Sequence, residues 1–468
     1  MMKSTSRRTF LKLSAMTAAS TALPSFATAN AGPVKVWRTS AEERWQTLEA
    51  LAWEPFRGTS PVSIRLIPAR KYQQVLGFGA ALTDASCYLL EQLDAGKRKT
   101  ILEDCFGPSG LRLSVARTTI GSSDYSLSAY SYDDTQQPDP GLKHFSIDHD
   151  RKYILPLLRE VQNVNPEMFY FSSPWSPPGW MKAGGSLLGG SMRSHYFDAY
   201  AQYFVKFLQG YAANGVKIKA VTVQNEVDTD QDGRMPQALW GQEYEMNFVK
   251  DHLGPALKQA GLDTKIWILD HNYNLWGRAV DEISDPDVYQ YVDGVAWHGY
   301  YGDPSAMTRV HDMFPEKNAY WTEGGPDYKS PDYATDWTKW SNTFTGILRN
   351  WARCIVSWNL ALDENGKPNI GPFDCGGLVT VHSGTHEITR SGQFWAFAHY
   401  SKVIHRGAHI FASSGDLQNI SHVAAENPDG SRVLVLTNTE REQTVQVVLE
   451  EQALSLRLPP DSVTTLVW

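Results

Sequence analysis

Cysteine is scarce in this chain. Cys87, Cys105, Cys354 and Cys375 are the only four in 468 residues. They form no CxxC pair and no Cys/His cluster with zinc spacing, which argues against a structural metal, and they are too few for a disulfide framework. Free buried thiols are the expected state for most of them. Runs of Lys and Arg of the kind that track phosphates are also missing. The formal balance is 43 basic against 51 acidic residues, which speaks against nucleic acid as a partner. No stretch approaches the roughly 20 apolar residues of a membrane span, so stable membrane insertion is not expected. A glycine-rich phosphate turn is lacking too. Gly77-Phe78-Gly79-Ala80-Ala81 misses the final glycine of G-x-G-x-x-G, which weakens a doubly wound nucleotide-binding reading.

What is present begins with an address. Ser6-Arg7-Arg8-Thr9-Phe10-Leu11-Lys12 reads as a twin-arginine signal. A mild apolar stretch, Leu13 to Leu23, follows, with small-residue cleavage candidates around Ala27-Thr28-Ala29 and Ala31. Residues 1–31 are therefore expected to be a leader, and the protein to be exported by the twin-arginine route to the periplasm or beyond. Without Lys3, Arg7, Arg8 and Lys12 the balance becomes 39 basic against 51 acidic.

From residue 74 buried strands alternate with helical patterns. The strand candidates are Gln74–Gly79, Arg112–Thr118, Met168–Ser173, Lys217–Val223, Lys265–Leu269, Gly294–His298, Asn318–Thr322 and Cys354–Leu360. Asp84–Asp94, Tyr153–Gln162, Tyr196–Asn214 and Gln242–Gln259 carry helical periodicity between them. Eight near-continuous apolar strands separated by helices predict an α/β fold, a (β/α)₈ TIM barrel over residues 74–393. After that the character changes to short strands separated by Gly, Pro, Asn and Asp. Residues 394–468 therefore read as an antiparallel β-sandwich, which the N-terminal strands of residues 32–73 are expected to join.

Two of the barrel strands lead to a glutamate. Val221-Thr-Val-Gln-Asn-Glu226 ends the fourth, and Asn318-Ala-Tyr-Trp-Thr-Glu323 ends the seventh. C-terminal strand ends are where such a barrel keeps its chemistry, and strands four and seven face each other across the mouth. Paired carboxylates are the kit for glycoside hydrolysis. At a separation of about 5–5.5 Å one attacks the anomeric carbon while the other protonates the leaving oxygen. Asn225 is placed to hydrogen-bond the sugar 2-hydroxyl. The 16 Trp, 21 Tyr and 18 Phe suit apolar sugar faces, although a large core explains most of them. A solvated surface charge is the ordinary reading of any one glutamate, but two that each end an apolar strand are harder to dismiss.

These residues sit in longer motifs: GFGAALTDAS at Gly77–Ser86, SSDYSLSAYSYDDT at Ser122–Thr135, SPWSPPGWMK at Ser173–Lys182, VTVQNE at Val221–Glu226, WTEGG at Trp321–Gly325 and WNLALDENGKPN at Trp358–Asn369. In this order they resemble glycoside hydrolase family 30, the group that includes lysosomal glucosylceramidase, over nearly all of the chain after the leader. The resemblance implies a retaining β-glycosidase without cofactor or metal, with Glu226 as acid/base and Glu323 as nucleophile. It implies that Asp124 binds sugar hydroxyls and that Trp175 and Trp358 wall the cleaved subsite. Arg117 would support the nucleophile, and His298 and Tyr300 would lie beside it, with Tyr300 able to hydrogen-bond Glu323. Gly299 replaces a bulkier residue, which is expected to widen the pocket. The loop from Pro326 to Trp340 is longer than in the lysosomal enzyme and is expected to shape the leaving-group side.

The expected substrate is a β-glucoside, part of an oligosaccharide, polysaccharide or glycolipid, with a glucosylceramidase or β-glucosidase activity placed first. An endo-β-1,6-glucanase is the alternative. A silent carbohydrate-binding protein is a third reading, but the intact pair of carboxylates argues against it. A metal-dependent hydrolase is disfavoured because no His/Asp cluster at ligand spacing accompanies the glutamates.

Overall fold

The computed structural model describes residues 32–468 apart from 59, 61, 230–232 and 416. The expected leader over residues 1–31 lies outside the described residues. Eight parallel strands close a barrel in chain order: β1 (Gly77–Ala81), β2 (Val115–Thr119), β3 (Phe169–Ser173), β4 (Ile218–Thr222), β5 (Lys265–Asn272), β6 (Val292–His298), β7 (Asn318–Glu323) and β8 (Ala352–Ser357). All eight overlap the strands expected from the sequence.

The two-residue period of a strand sorts the barrel interior into a dry floor and a polar mouth. Val115, Phe169, Phe171, Ala220, Trp267, Ala296, Tyr320, Cys354 and Val356 fill the lower lumen as one apolar cluster, with Trp267 and Tyr320 stacked at 3.9 Å. Two residues further along the same strands come Arg117 above Val115, Ser173 above Phe171, Thr222 above Ala220, His298 above Ala296 and Thr322 above Tyr320.

Strand β5 breaks this period. Continuing from Trp267 would turn Leu269 inward. Instead the register with β6 shifts between Leu269 and His271, and Leu269 and Asp270 take positive φ of 71° and 46°. The bulge sends Leu269 into the outer core and aims Asp270 into the lumen. The Leu269 N–H is satisfied by Glu245 Oε1 at 3.0 Å, from the helix layer outside. Glu245 and Glu282 are in turn held by Arg278 at 2.7 and 2.8 Å.

The helix Gly392–Ser401 packs on the barrel. Phe397 and Tyr400 meet Phe344 of the preceding helix Trp337–Arg349 at 4.5 and 5.5 Å. The sandwich boundary expected at Phe394 falls inside this helix, and the next strand of the second domain begins at His409. That domain is one ten-stranded sheet. Its hydrogen-bonded order is Gln46–Leu51, Val34–Thr39, Ser462–Val467, Arg432–Asn438, Ile420–Glu426, His409–Ser414, Ser63–Gln74, Gln443–Leu449, Gln452–Leu458 and Glu54–Pro55. The strand Val34–Thr39 and the last strand, Ser462–Val467, are thus neighbours, with Lys35 opposite Val467. Alternation again divides the labour. Leu434 and Leu436 face the sandwich core, while Val433 and Val435 join the core shared with the barrel.

At the seam between the domains, His399 of the barrel helix is fully buried. Its Nδ1 lies 2.8 Å from Thr465 Oγ1 and its Nε2 2.8 Å from Thr39 Oγ1. The Thr465 hydroxyl donates to the His399 carbonyl, so Nδ1 carries the proton and Nε2 accepts from Thr39. All four cysteines are free, with Cys87, Cys105 and Cys354 buried. Among the described residues no helix is long and apolar enough to cross a membrane.

Candidate active site

A cavity of about 870 Å³ opens at the C-terminal end of the barrel. Asp124, Trp175, Asn225, Glu226, Tyr300, Glu323 and Trp358 all line it. Arg117 and His298, both fully buried, lie directly beneath these residues and bind them. The nine residues singled out in the sequence are therefore brought to one place.

Arg117 is the hub. Its Nη1 donates to Glu323 Oε2. Its Nη2 donates to Asn225 Oδ1 at 2.9 Å and to Asp270 Oδ2 at 2.6 Å, and its Nε to Ser173 Oγ at 3.2 Å. Trp175 and Trp358 stack on each other at 5.1 Å with 15° between planes, and the guanidinium carbon sits 4.9 and 5.4 Å from their ring centroids. The two indoles thus form one aromatic block over the arginine rather than two facing walls. Because Asn225 Oδ1 is taken by Arg117, its amide group is left to face the cavity.

Asp270 lies beneath, absent from the sequence reading although it obeys the same rule as the two glutamates, an acid closing an apolar strand. The strand counted there stops at Leu269, one residue short. Asp270 Oδ2 accepts from Arg117, from Ser173 Oγ at 2.8 Å and from Thr222 Oγ1 at 2.7 Å. Oδ1 accepts from Thr322 Oγ1 at 2.7 Å and faces His298 Nε2 at 3.0 Å. Burial opposes its charge, but the Arg117 guanidinium and His298 hold the carboxyl below the ordinary carboxylate range.

His298 joins the two glutamates. Its Nδ1 is 3.2 Å from Glu226 Oε1, and its Nε2 is 3.7 Å from Glu323 Oε2 in addition to the Asp270 contact. Burial disfavours its charge. The charge of Glu323 and the hydrogen bonds to Asp270 and Glu226 outweigh that and raise its pKa to about 9, so the ring is an imidazolium at neutral pH.

Glu226 lies past the end of β4, in the loop. Its φ of 51° is left-handed, a conformation costing about 1–2 kcal/mol for a non-glycine residue, and its N–H is held by the Asp270 carbonyl at 3.0 Å. The β5 bulge therefore fixes both a side chain in the lumen and the backbone of Glu226. Burial pushes the Glu226 carboxyl up, and the His298 hydrogen bond overrides it, leaving it lowered. Glu323 accepts from Tyr300 Oη at 3.0 Å. Its carboxyl is raised by burial first and by the charges of Glu226 and Asp270, against the pull of His298 and Arg117. Because the two share His298, they titrate as one system. Asp124 is buried with Oδ1 lacking a protein partner, and burial followed by the Glu323 and Glu226 charges raises its carboxyl. It presents an unspent polar atom to the cavity.

Two expectations from the sequence are corrected. Gly299 does not widen the pocket. A Cβ there would come within 2.5 Å of Trp321 Cζ2, and one at Gly324 within 2.2 Å of Trp321 Cη2. Both glycines make room for a buried indole. Nor does any residue of 326–340 line the cavity. That loop packs on the segment after Trp358 instead, with Tyr333 Oη donating to Gly377 O at 2.6 Å and Tyr328 N to Asp374 O at 3.2 Å. The leaving-group side is built by other residues. Asp228, Thr229 and Gln237 come from the loop after β4, and His271, Asn272, Asn274 and Leu275 from the end of β5 and the segment after it. His271 Nδ1 is 3.8 Å from Glu226 Oε1, and burial lowers its pKa.

Acidic side chains at the mouth of a (β/α)₈ barrel, held around a water-accessible cavity with an aromatic block and polar rim, define a carbohydrate-cleaving site. Comparison with known proteins agrees. The model for the glycosyl hydrolase family 30 TIM-barrel domain matches residues 75–404, and that for the family 30 β-sandwich domain matches residues 407–466. The chain belongs to glycosyl hydrolase family 30, and it is a glycosidase. It is 34% identical to an endo-1,6-beta-D-glucanase of Neurospora crassa over 436 residues, covering 86% of this chain and 88% of that protein. It is 28% identical to the lysosomal acid glucosylceramidase of Mus musculus over 465 residues, covering 93% and 89%. Among solved structures, the endo-beta1,6-glucanase BT3312 superposes with a TM-score of 0.85 at 31% identity, covering 93% of this chain and 100% of that one.

Proposed function

We propose that the protein cleaves β-1,6-linked glucan with retention of configuration, Glu323 attacking the anomeric carbon and Glu226 serving as acid/base. The observation that carries the substrate is the likeness to endo-1,6-glucanases, 34% and 31% identical over most of the chain. Asp228, Asn272 and Asn274 bring polar groups to the cavity lining beside Leu275, Met235 and Phe373, a mixed surface of the kind that takes a sugar. The sequence reading placed the glucosylceramidase type first. The likeness to endo-1,6-glucanases supports the other member of the pair.

Double displacement needs a carboxylate on Glu323 and a proton on Glu226, the reverse of the directions in which burial and neighbours shift the two groups. The count of donors supports the mechanistic assignment. Arg117, Tyr300 and His298 all present donors to Glu323, so a proton there would face other protons. Glu226 Oε1 is engaged by His298, and its side chain is the more exposed of the two, 18% against 6%. In the first step the Glu323 oxygen forms the bond to the anomeric carbon as the glycosidic C–O bond breaks, and Glu226 protonates the leaving oxygen. In the second, Glu226 takes a proton from water, which displaces Glu323. Arg117, neutralising Asp270 and Glu323 together, keeps the nucleophile aligned. Asp124, with its unspent oxygen, binds sugar hydroxyls, and the Trp175–Trp358 block packs against the sugar ring.

The twin-arginine pattern of Ser6–Lys12 supports export. Cell fractionation of the wild type and an Arg7→Lys/Arg8→Lys pair checks that, with the variant expected to stay in the cytoplasm. For the reaction, the purified protein is offered β-1,6-glucan, glucosylceramide and an aryl β-glucoside, and the first-formed anomer is followed by NMR. The glucan is expected to be cleaved fastest, with the β-anomer appearing first. Initial α-anomer would overturn the mechanism, and preferred turnover of glucosylceramide the substrate.

A further inference from the structure

The loop between β2 and the helix Ile154–Val164 carries the site residue Asp124 and then runs through Asp133, Asp139 and His144, and these last three do not line the catalytic cavity. One carboxylate oxygen from each aspartate and one ring nitrogen of His144 lie within 4.8 Å of one another. The spacing, an aspartate, another six residues on and a histidine five further, matches no short ligand motif, which is why the sequence did not reveal it.

Asp133 marks the cluster as more than a group of surface acids. Its residue is 1% exposed, yet neither carboxylate oxygen has a hydrogen-bond partner in the protein. A buried carboxylate without a donor is costly and demands either a proton or a cation. Its backbone is fixed independently, because Trp180 Nε1 donates to the Asp133 carbonyl at 3.0 Å. Asp139 is held by His144, whose N–H and Nδ1 both lie 2.9 Å from Asp139 Oδ2.

We propose that Asp133, Asp139 and His144 form a binding site for Zn²⁺ that pins the β2 loop. Two carboxylates and one imidazole suit a borderline ion taking three protein ligands and a water, whereas Ca²⁺ prefers six or more oxygens. Through Trp180, the ion couples the loop bearing Asp124 to the segment that follows Trp175. This site is separate from the Glu226, His271 and His298 group at the cavity, whose ligand atoms also lie close together but whose His298 already meets carboxylates with both nitrogens.

The test uses the full-length chain, stripped with EDTA and titrated with ZnCl₂ by calorimetry, with MnCl₂ and CaCl₂ as comparators. The wild type is expected to take up Zn²⁺ at this site in preference to Ca²⁺ and to gain ~3 °C or more in melting temperature at saturation. His144→Ala, a change at an exposed side chain, should weaken that binding at least about tenfold. Asp133→Asn should abolish it and, in EDTA, melt no lower than the wild type, because it removes an unpaired buried charge. His271→Ala should retain it. No Zn²⁺ uptake by the wild type, equal uptake by Asp133→Asn and His144→Ala, or loss confined to His271→Ala would overturn the site. So would an Asp133→Asn variant destabilised equally with and without Zn²⁺, since that would make Asp133 an ordinary structural acid.

Discussion

Two histidines in this protein are equally buried, yet one is charged and the other neutral. His298 sits at the barrel mouth with both nitrogens turned to carboxylates and a pKa near 9. His399 sits at the seam between the domains with both nitrogens turned to threonine hydroxyls, and desolvation by burial lowers its pKa to about 3. Burial acts the same way on both rings. Charge on the neighbours decides which ring keeps its second proton. The mouth spends three carboxylates to hold one imidazolium, whereas the seam uses neutral partners to hold an uncharged ring between strands near the two ends of the chain.

The largest disturbance of this contrast is Glu323→Gln. It should reduce turnover on β-1,6-glucan roughly 10⁴-fold and, by removing the foremost charge that raises His298, lower that ring's pKa from about 9, read by NMR titration. Retained turnover would end the assignment of the nucleophile.

The seam should reveal itself in acid. The folded pKa of His399 is depressed below its ordinary 6.5, so its neutral form contributes fully above pH 6.5. That contribution declines as the pH falls through this window to about 3, because the unfolded chain binds the proton first. The whole window is worth about 4–5 kcal/mol at ~1.4 kcal/mol per pH unit. Chemical unfolding across this range should show a steeper slope in the wild type than in His399→Gln. An unchanged slope in the variant would move the acid sensitivity elsewhere.

The mouth should behave in the opposite sense. Because the folded pKa of His298 is raised, its contribution is complete below pH 6.5 and is lost as the pH rises through about 9, roughly 3 kcal/mol in all. Denaturant midpoints taken near pH 6 and near pH 10 should differ less in His298→Gln than in the wild type. Equal alkaline loss in both would show that the imidazolium stabilises nothing.

The smallest effect is expected from Glu226→Ala on substrates with good leaving groups. A loss of about a hundredfold should be partly restored by azide, which fills the space of the missing base. Absence of rescue, or full activity, would remove the acid/base role.

The eight strands are legible because a parallel strand buried on both faces must be continuously apolar, and Glu226 and Glu323 because an acid ending such a run has no structural excuse. Asp270 escapes for a local reason. Its lumen position depends on two consecutive left-handed residues in β5, and nothing in the run Trp267-Ile-Leu-Asp-His271 announces a bulge. The meaning of Gly299 escapes for a tertiary reason, since its missing side chain serves Trp321 rather than the pocket. The direction of the Pro326–Trp340 loop is of the same kind. It follows partners such as Gly377 and Asp374, distant in sequence, that local pattern does not reveal.

The pairing of Val34–Thr39 with Ser462–Val467 has a consequence in time. The strand Ser462–Val467 lies between Val34–Thr39 and Arg432–Asn438, so that sheet cannot close until these residues have been made. Until then the first strands wait beside a barrel that has all of its own sequence, and His399 lacks the hydroxyl of Thr465. Losing Ser462–Val467 would leave a gap in the middle of a sheet rather than a shortened edge.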